Sequence, residues 1–265
     1  MFTSITTEQI KELRDATGIS VMQCKRALEE AEGNLKKALA ILKKTSSDIA
    51  LKKINREVKD GAVIIKTKDK KAVLVSLHCE TDFVAKNNDF LALLENLANL
   101  ALEKMSARGE LTSSWKKEAK DMIDPIIQKT GENIQLGEIY EVEGDILGSY
   151  VHNNKIAVIV SLAGGDVSLA KDIAMHVAAM KPEYLTPEEI TSDTRKTITE
   201  IFQKEIASID KPSEIKKKML DGKINTYFQK KTLLSQAFIK NPQDSVGKLL
   251  EKSKAKIKEI KRYSI

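Results

Sequence analysis

Two nearly identical hexapeptides, AVLVSL at residues 72–77 and AVIVSL at residues 157–162, constrain the fold of this chain more than any other feature. Each is a continuous apolar run that ends a predicted strand pair, and each is followed by a pattern typical of a helix. Strand pairs that feed helices twice in one chain predict a core made of two similar halves. We therefore expect an α+β fold.

The connection between strand and helix differs sharply between the two copies. The second copy uses only AGGD, residues 163–166, whereas the first uses the twelve residues 78–89, HCETDFVAKNND. Eight additional residues are not needed to join a strand to a helix, and long connections in compact units are more often functional than idle. Phe83 lies in this segment among charged and amide residues, where no strand or helix period requires an aromatic side chain. The segment is the first candidate for a functional site.

Residues 1–53 have the pattern of three short helices. Thr6 and Gln9 form a predicted capping box for the first helix, and Ser20 is the predicted N-cap of the second. Leu13 is expected to face the interior of this small bundle. A bundle of this size buries little apolar surface of its own, so any apolar side chain that it leaves outside is informative.

The start of the second helix carries such side chains. Val21 and Met22, beside Lys25, cannot all face inward together with Cys24 and Leu28 on one short helix. Two interpretations follow: Met22 fills an irregular gap in the bundle, or Val21 and Met22 form a docking surface for another protein. We favour the second.

The remaining pattern predicts three domains and one protruding element. Residues 187–231 read as two antiparallel helices, with Pro187 and Pro212 at their starts. The expected divisions are a partner-docking bundle at 1–53, a first core half at 54–140 that carries TDFVAKN, and a second core half at 141–265 into which the hairpin is inserted.

Charge and composition limit which cellular compartment and which classes of binding partner are compatible with this sequence. Residues 187–265 contain 18 Lys and Arg against 11 Asp and Glu, which alone would suit nucleic acid or an acidic protein. Because the acidic residues are interleaved and the aromatics form no stacking pattern, we expect solvated helix faces and no direct contact with nucleic acid. The absence of a signal peptide and of an apolar run of about 20 residues predicts a cytoplasmic protein without membrane contact. Only two cysteines, Cys24 and Cys79, are present, which fits a reducing compartment.

Motifs for catalysis or cofactor binding are missing. The chain contains neither GxxxxGK[ST] nor GxGxxG after a strand, and no nucleophile motif. HCETD at residues 78–82 places possible metal ligands side by side, but neighbours on a strand point to opposite faces and no second ligand pair follows. We therefore expect no cofactor, no metal site and no enzymatic activity.

Five stretches together resemble the elongation factor Ts family, the guanine-nucleotide exchange factors for elongation factor Tu. They are KELRDATGISVMQCKRALEEAEG, TDFVAKN, EGDILGSYVH, AMHVAAMKPEYL and SVGKLLEKSKAKI, in that order along essentially the whole chain. Members of the family often continue beyond the strand that matches IKRYSI into a further helical module, and this sequence stops there.

The resemblance implies a partner, elongation factor Tu in its GDP-bound and nucleotide-free forms, and a role for particular residues. In the family the N-terminal bundle is similar to a ubiquitin-associated domain and docks on the partner's GTPase domain. The TDFV segment disturbs the partner's magnesium site, with its Phe wedged between two helices. The matching positions in this sequence are Thr81, Asp82, Phe83 and Val84 for that segment, Lys11, Leu13, Val21, Met22 and Lys25 for the bundle, and His152 and His176 for further contacts. For His176, an interior histidine with satisfied hydrogen bonds is an equally good interpretation.

Two other classes of function remain compatible with parts of the sequence. A ubiquitin-associated type of adaptor without exchange activity would account for the bundle but not for TDFVAKN. An RNA-binding or ribosome-associated protein would account for the basic far end, and its binding would weaken steeply with added salt.

Overall fold

A computed structural model describes residues 5–104 and 113–265 of the chain, and it confirms the predicted α+β class. Contacts divide the chain into two compact units. One comprises residues 1–141, 151–157 and 263–265, and the other comprises residues 142–150 and 158–262. The division into three domains stays a prediction. No helix in the described ranges combines the length and the apolar character that a membrane span requires.

The first unit begins with the predicted three-helix bundle. Its helices are α1 (Thr7–Thr17), α2 (Val21–Glu30) and α3 (Leu35–Lys53). The capping box of Thr6 and Gln9 is present, and Ser20 accepts a hydrogen bond from the Gln23 amide, so both predicted caps are confirmed. The interior of the bundle is filled by side chains from the three helices and from the two connections between them: Leu13, Ile19, Cys24, Ala27, Leu28, Ala31, Ala38 and Leu42.

The first half of the core is a three-stranded sheet covered by helices. Strands β1 (Asp60–Lys68) and β2 (Lys71–Cys79) pair as the predicted antiparallel hairpin, and β2 is the central strand of the order β1-β2-β3. The other elements of this half are α4 (Asp82–Ala85), α5 (Asn88–Lys104), α6 (Ser113–Thr130) and β3 (Ile134–Glu143). Helix α5 packs on β1 and β2, α6 packs on α5 and α3, and Trp115 of α6 is fully buried in their shared core.

The second half repeats this arrangement. Strands β4 (Ile146–His152) and β5 (Ile156–Ala163) form a hairpin that feeds helix α7 (Val167–Met180). Strand β5 carries AVIVSL and is central in its own sheet, as β2 with AVLVSL is in the first. The sequence repeat therefore corresponds to the central strands of two similar sheets. All six residues of each run are buried, so side chains on both faces of each strand are shielded from solvent.

The helical hairpin is present, but its first helix begins later than predicted. Pro187 opens only a single 3₁₀ turn, and α8 (Ser192–Ala207) starts after Thr191, whose side chain caps it. Pro212 directly precedes α9 (Ser213–Lys231). A short hairpin of β6 (Ala237–Phe238) and β7 (Asn241–Ser245), which the sequence did not indicate, is followed by α10 (Val246–Lys252) and β8 (Lys256–Ser264). Strand β8 contains most of IKRYSI, which the family resemblance matches to a strand, and it pairs with β5.

Candidate functional site

The long connection after β2 is an ordered turn of helix. Residues Asp82–Ala85 form α4, and the Thr81 hydroxyl accepts a hydrogen bond from the Val84 amide at 3.4 Å. Helix α5 follows almost at once. The sequence suggests Asp89 as the N-cap of α5, but the capping side chain is Asn87, whose Oδ1 accepts a hydrogen bond from the Asp89 amide at 2.8 Å. The connection spans residues 80–87, against residues 164–166 in the second half.

The side chains of this single turn divide between the core and the solvent. Val84 and Ala85 are buried against the sheet and α5. Phe83, between Asp82 and Val84, has 83% of its surface exposed, the highest value among the large apolar residues in the described parts of the chain. Exposing a phenylalanine forfeits its hydrophobic stabilisation. The ring is thus presented to the solvent by a turn whose own apolar side chains face the protein.

The base of the turn is held by a carboxylate from a distant part of the chain. Glu132 Oε2 accepts hydrogen bonds from the backbone amides of Glu80 and Thr81 at 3.1 and 3.0 Å, and Glu132 Oε1 accepts from the Thr81 hydroxyl at 2.6 Å. Glu80 in turn accepts from the Asn133 amide at 2.6 Å. Glu132 was not among the sequence candidates, and no motif around it indicates this role.

The charged groups on the turn pair with each other. Asp82 Oδ2 and Lys86 Nζ are 2.8 Å apart, and this hydrogen bond raises the pKa of Lys86. Burial, with a smaller contribution from the nearby Glu132 carboxylate, raises the pKa of Cys79 to about 12. The Cys79 thiol donates to the Thr81 carbonyl at 3.2 Å. A thiol with so high a pKa is not a nucleophile at neutral pH, so Cys79 has a structural role.

The start of α2 presents the second predicted surface. Val21 and Met22 are 51% and 61% exposed, so Met22 does not fill a gap in the bundle, and Lys11 and Lys25 are exposed as well. Leu13 is different: only 1% of its surface is exposed, because it packs in the bundle interior. The inward position expected for Leu13 is confirmed. Its place among the partner-binding residues stays a prediction.

The two candidate histidines have different environments. His152 ends β4 and is exposed, next to a tight turn in which Asn153 and Asn154 both have positive φ, as type I′ turns require. The side-chain amide of Asn153 lies 3.5 Å from His152 Nε2. His152 thus lies at a tightly turned corner where a partner could reach it.

His176 on α7 is completely buried, and both of its ring nitrogens have partners. The Ile239 amide donates to Nδ1 at 3.2 Å, and Nε2 lies 2.8 Å from Gln236 Oε1. With Nδ1 as an acceptor, Nε2 carries the proton and donates to Gln236. Burial lowers the pKa of His176, against a smaller opposing contribution from Gln236. The structure favours the interior interpretation over a direct partner contact, because no part of the ring reaches the surface.

The structure groups the predicted residues into separate places. Thr81, Asp82, Phe83 and Val84 share one helical turn, and Val21, Met22 and Lys25 share one helix start. His176 belongs to the other compact unit. Among residues 5–104 and 113–265, no group of three or more His, Cys, Asp or Glu side chains is arranged to hold a metal ion. What these surfaces offer is an exposed aromatic ring and an apolar patch beside lysines, which suits protein recognition.

Comparison with known proteins gives consistent results along the chain. A family model described as "Elongation factor TS" matches residues 80–265, and one described as "UBA-like domain" matches residues 4–42. The chain is 38% identical over 265 residues to "Elongation factor Ts" of Hahella chejuensis, covering 99% of this chain and 92% of that protein. It is 39% identical over 251 residues to the protein of that name from Marinobacter nauticus, and the match covers 94% of this chain and 86% of that protein. It is 36% identical over 263 residues to the protein of that name from Alcanivorax borkumensis, and the match covers 97% of this chain and 92% of that protein.

Proposed function

This chain belongs to the elongation factor Ts family, whose members act in translation elongation, and we propose that it promotes the release of GDP from elongation factor Tu. In this proposal it binds the GDP-bound form, displaces magnesium and phosphate contacts in the partner, and stays bound to the nucleotide-free form until GTP enters. It breaks no covalent bond. Magnesium is the largest local charge at such a nucleotide site, so a shift of the helices that hold it weakens nucleotide binding.

The observation that supports the proposal most is that the ring of Phe83 is held exposed on an anchored turn. Its ring is 83% exposed on a turn whose neighbouring side chains, Val84 and Ala85, are fixed in the core. A ring held out in this way is ready to enter a gap between elements of another protein without first rearranging its own chain. Thr81 and Asp82 form the exposed start of the same turn and are the other proposed contacts.

The free energy gained by burying Phe83 alone is too small to displace a tightly bound nucleotide. Weakening nucleotide binding ten-thousandfold requires about 5.5 kcal/mol of coupling, whereas burial of one phenylalanine side chain contributes about 1.5–3 kcal/mol. Further contacts must supply the difference, and we assign them to Val21 and Met22, with Lys11 and Lys25 at the edge and His152 as an additional contact. By reciprocity, GDP weakens the binding of this protein by the same factor.

The alternatives are supported by less of the chain. An adaptor of the ubiquitin-associated type would use the bundle, residues 4–42, and would leave the anchored Phe83 turn without a purpose. An RNA-binding role would use the basic residues beyond 187. Several of those lysines are already paired with acidic side chains, as in Lys223 with Glu205 at 2.7 Å and Lys252 with Asp244 at 2.7 Å.

The direct test is the release of labelled GDP from purified elongation factor Tu, followed by stopped flow with and without this protein. The expected result is a release rate that rises with the concentration of this protein and then saturates. A rate that stays at the intrinsic value while the two proteins bind each other would favour the adaptor. RNA binding that is lost steeply with salt, together with no effect on GDP, would favour the RNA-associated function.

A further inference from the structure

We infer that Glu132 is a positioning residue for the Phe83 turn: its carboxylate fixes residues 80 and 81, and thereby the direction in which Phe83 projects. This inference rests on the proposed exchange function. Glu132 belongs to neither strand nor helix and lies 51 residues beyond Thr81 in the sequence, so its contact with the turn is a product of the fold alone.

Both carboxylate oxygens of Glu132 take part in the contact. One carboxylate oxygen of Glu132 accepts from two consecutive backbone amides, those of Glu80 and Thr81, and the other accepts from the Thr81 hydroxyl. The same hydroxyl accepts from the Val84 amide at 3.4 Å and so starts α4. Hydrogen bonds to an ionised acceptor are the strong ones in proteins. The Glu132 carboxylate therefore orients the hydroxyl that caps the turn from which Phe83 projects.

A second hydrogen bond joins the same two segments in the opposite direction. Glu80 Oε1 accepts from the Asn133 amide at 2.6 Å, so residues 80–81 and residues 132–133 hold each other reciprocally. Glu132 is placed there by the end of α6, where Gly131 takes a φ of +78° and turns the chain back toward β2. Lys53, at the end of α3, donates to the Gly131 carbonyl. The turn that carries Glu132 is thus supported from the bundle as well.

The chemistry predicts how substitutions of Glu132 differ. Glu132→Ala removes all three acceptor contacts. Glu132→Gln keeps the amide oxygen for the two backbone amides, and its NH₂ group faces the Thr81 hydroxyl, which is able to accept as well as donate. A positioning role therefore predicts loss with Ala and rescue with Gln. Glu200→Ala, at an exposed position on α8, is the matched control for removal of a glutamate.

The test combines hydrogen exchange of the free full-length proteins with GDP release from elongation factor Tu at saturating concentrations. For Glu132→Ala we expect amide exchange at residues 80–85 to rise about tenfold or more, since hydrogen bonds to a charged acceptor are lost, and the maximal release rate to fall about tenfold. Glu200→Ala should stay close to the parent, and Glu132→Gln should recover most of the loss, because it keeps the three contacts but not the charge. Combining Glu132→Ala with Phe83→Ala should add little to the loss caused by Phe83→Ala alone, because both changes act through one ring.

The outcomes separate the inference from the proposed function. An active parent with an equally active Glu132→Ala variant overturns the inference and leaves the function intact, and so does unchanged exchange at residues 80–85. A loss of activity that merely follows a general loss of folded protein, with faster exchange throughout the first unit, also overturns it. A parent without effect on GDP release overturns the proposed function, and the inference with it.

Discussion

At Phe83 and Met22, neighbouring residues explain why an apolar side chain faces the solvent. Val84 and Ala85 occupy the inward positions of α4, and a single turn offers no further inward position for Phe83. On α2 the inward positions are taken by Cys24, Ala27 and Leu28, which leaves Met22 outside. Both side chains are therefore exposed by the period of the helix, and their substitution should affect binding more than folding.

Replacing Phe83 by Ala is expected to leave the free energy of unfolding nearly unchanged, because an 83% exposed ring has little packing to lose. In the complex the same change removes a buried aromatic anchor, which typically costs about 2 kcal/mol or more, or about thirtyfold in affinity. The fastest attainable GDP release should fall as well. Urea unfolding and stopped-flow release measure the two effects, and a Phe83→Ala protein that unfolds readily would contradict this prediction.

Replacing Met22 by Asp is expected to weaken binding to elongation factor Tu while the free protein stays folded, because Met22 is 61% exposed. The matched control is Leu13→Ala in the same bundle. Leu13 is buried, and truncation of a buried leucine typically costs about 2–5 kcal/mol of stability. Titration calorimetry and thermal unfolding distinguish the variants. A midpoint that drops as far for Met22→Asp as for Leu13→Ala would show that Met22 supports the bundle core.

At the scale of elements, two glycines show opposite reasons for the absence of a side chain. Gly148 on β4 lies where α7 approaches the strand, and a Cβ there would be 2.1 Å from the Ala170 carbonyl carbon. Gly222 lies within α9, and a Cβ there would meet nothing within 4 Å. The first glycine permits close packing of a helix on a strand, whereas the second only gives the helix a flexible residue.

Replacing Gly222 by Ala is therefore expected to raise the free energy of unfolding by up to about 1 kcal/mol, the difference in helix propensity between the two residues. Gly148→Ala should lower it, because the backbone of α7 would have to move. Urea unfolding followed by circular dichroism measures both changes. Equal effects of the two substitutions would mean that helix propensity and close packing do not govern these positions.

At the scale of the whole molecule, burial of histidines links stability to pH. Desolvation lowers the pKa of both His78 and His176, in the first and the second unit respectively. For His176 the hydrogen bond with Gln236 opposes this shift in part, and for His78 the Asp60 backbone and the Glu138 carboxylate oppose it while the charge of Lys155 adds to it. Each histidine is thus held neutral in the folded protein at a pH where the unfolded chain already binds a proton.

Stability should therefore fall as the pH drops below about 6.5, the ordinary histidine pKa in the unfolded chain. Each group contributes a slope of up to about 1.4 kcal/mol per pH unit, until the pH reaches its own lowered pKa in the folded state. Above about pH 6.5 these two histidines cause no change of the free energy of unfolding with pH. Urea unfolding between pH 7.5 and 5.0 measures the effect, and His176→Gln should flatten the curve. An unchanged curve for that variant would remove His176 as a cause.

The sequence by itself determined those features that depend on neighbours along the chain. The repeat of AVLVSL and AVIVSL located both central strands, and the capping box at Thr6 and Gln9 located the first helix. The excess length of the segment around Phe83 marked the candidate site. Periodicity, caps and loop length are local properties, so they can be read without knowing the fold.

Only the tertiary structure decided which distant residues support these local features. It placed Glu132 under the Phe83 turn and His176 in the interior beside Gln236, each across more than 50 residues of sequence. It also moved the start of α8 from Pro187 to Ser192, because Pro187–Glu189 form only a single 3₁₀ turn and the backbone at Ile190 and Thr191 is extended. Contacts across such separations arise when elements pack together, and no period or spacing within one segment encodes which side chain will lie opposite another.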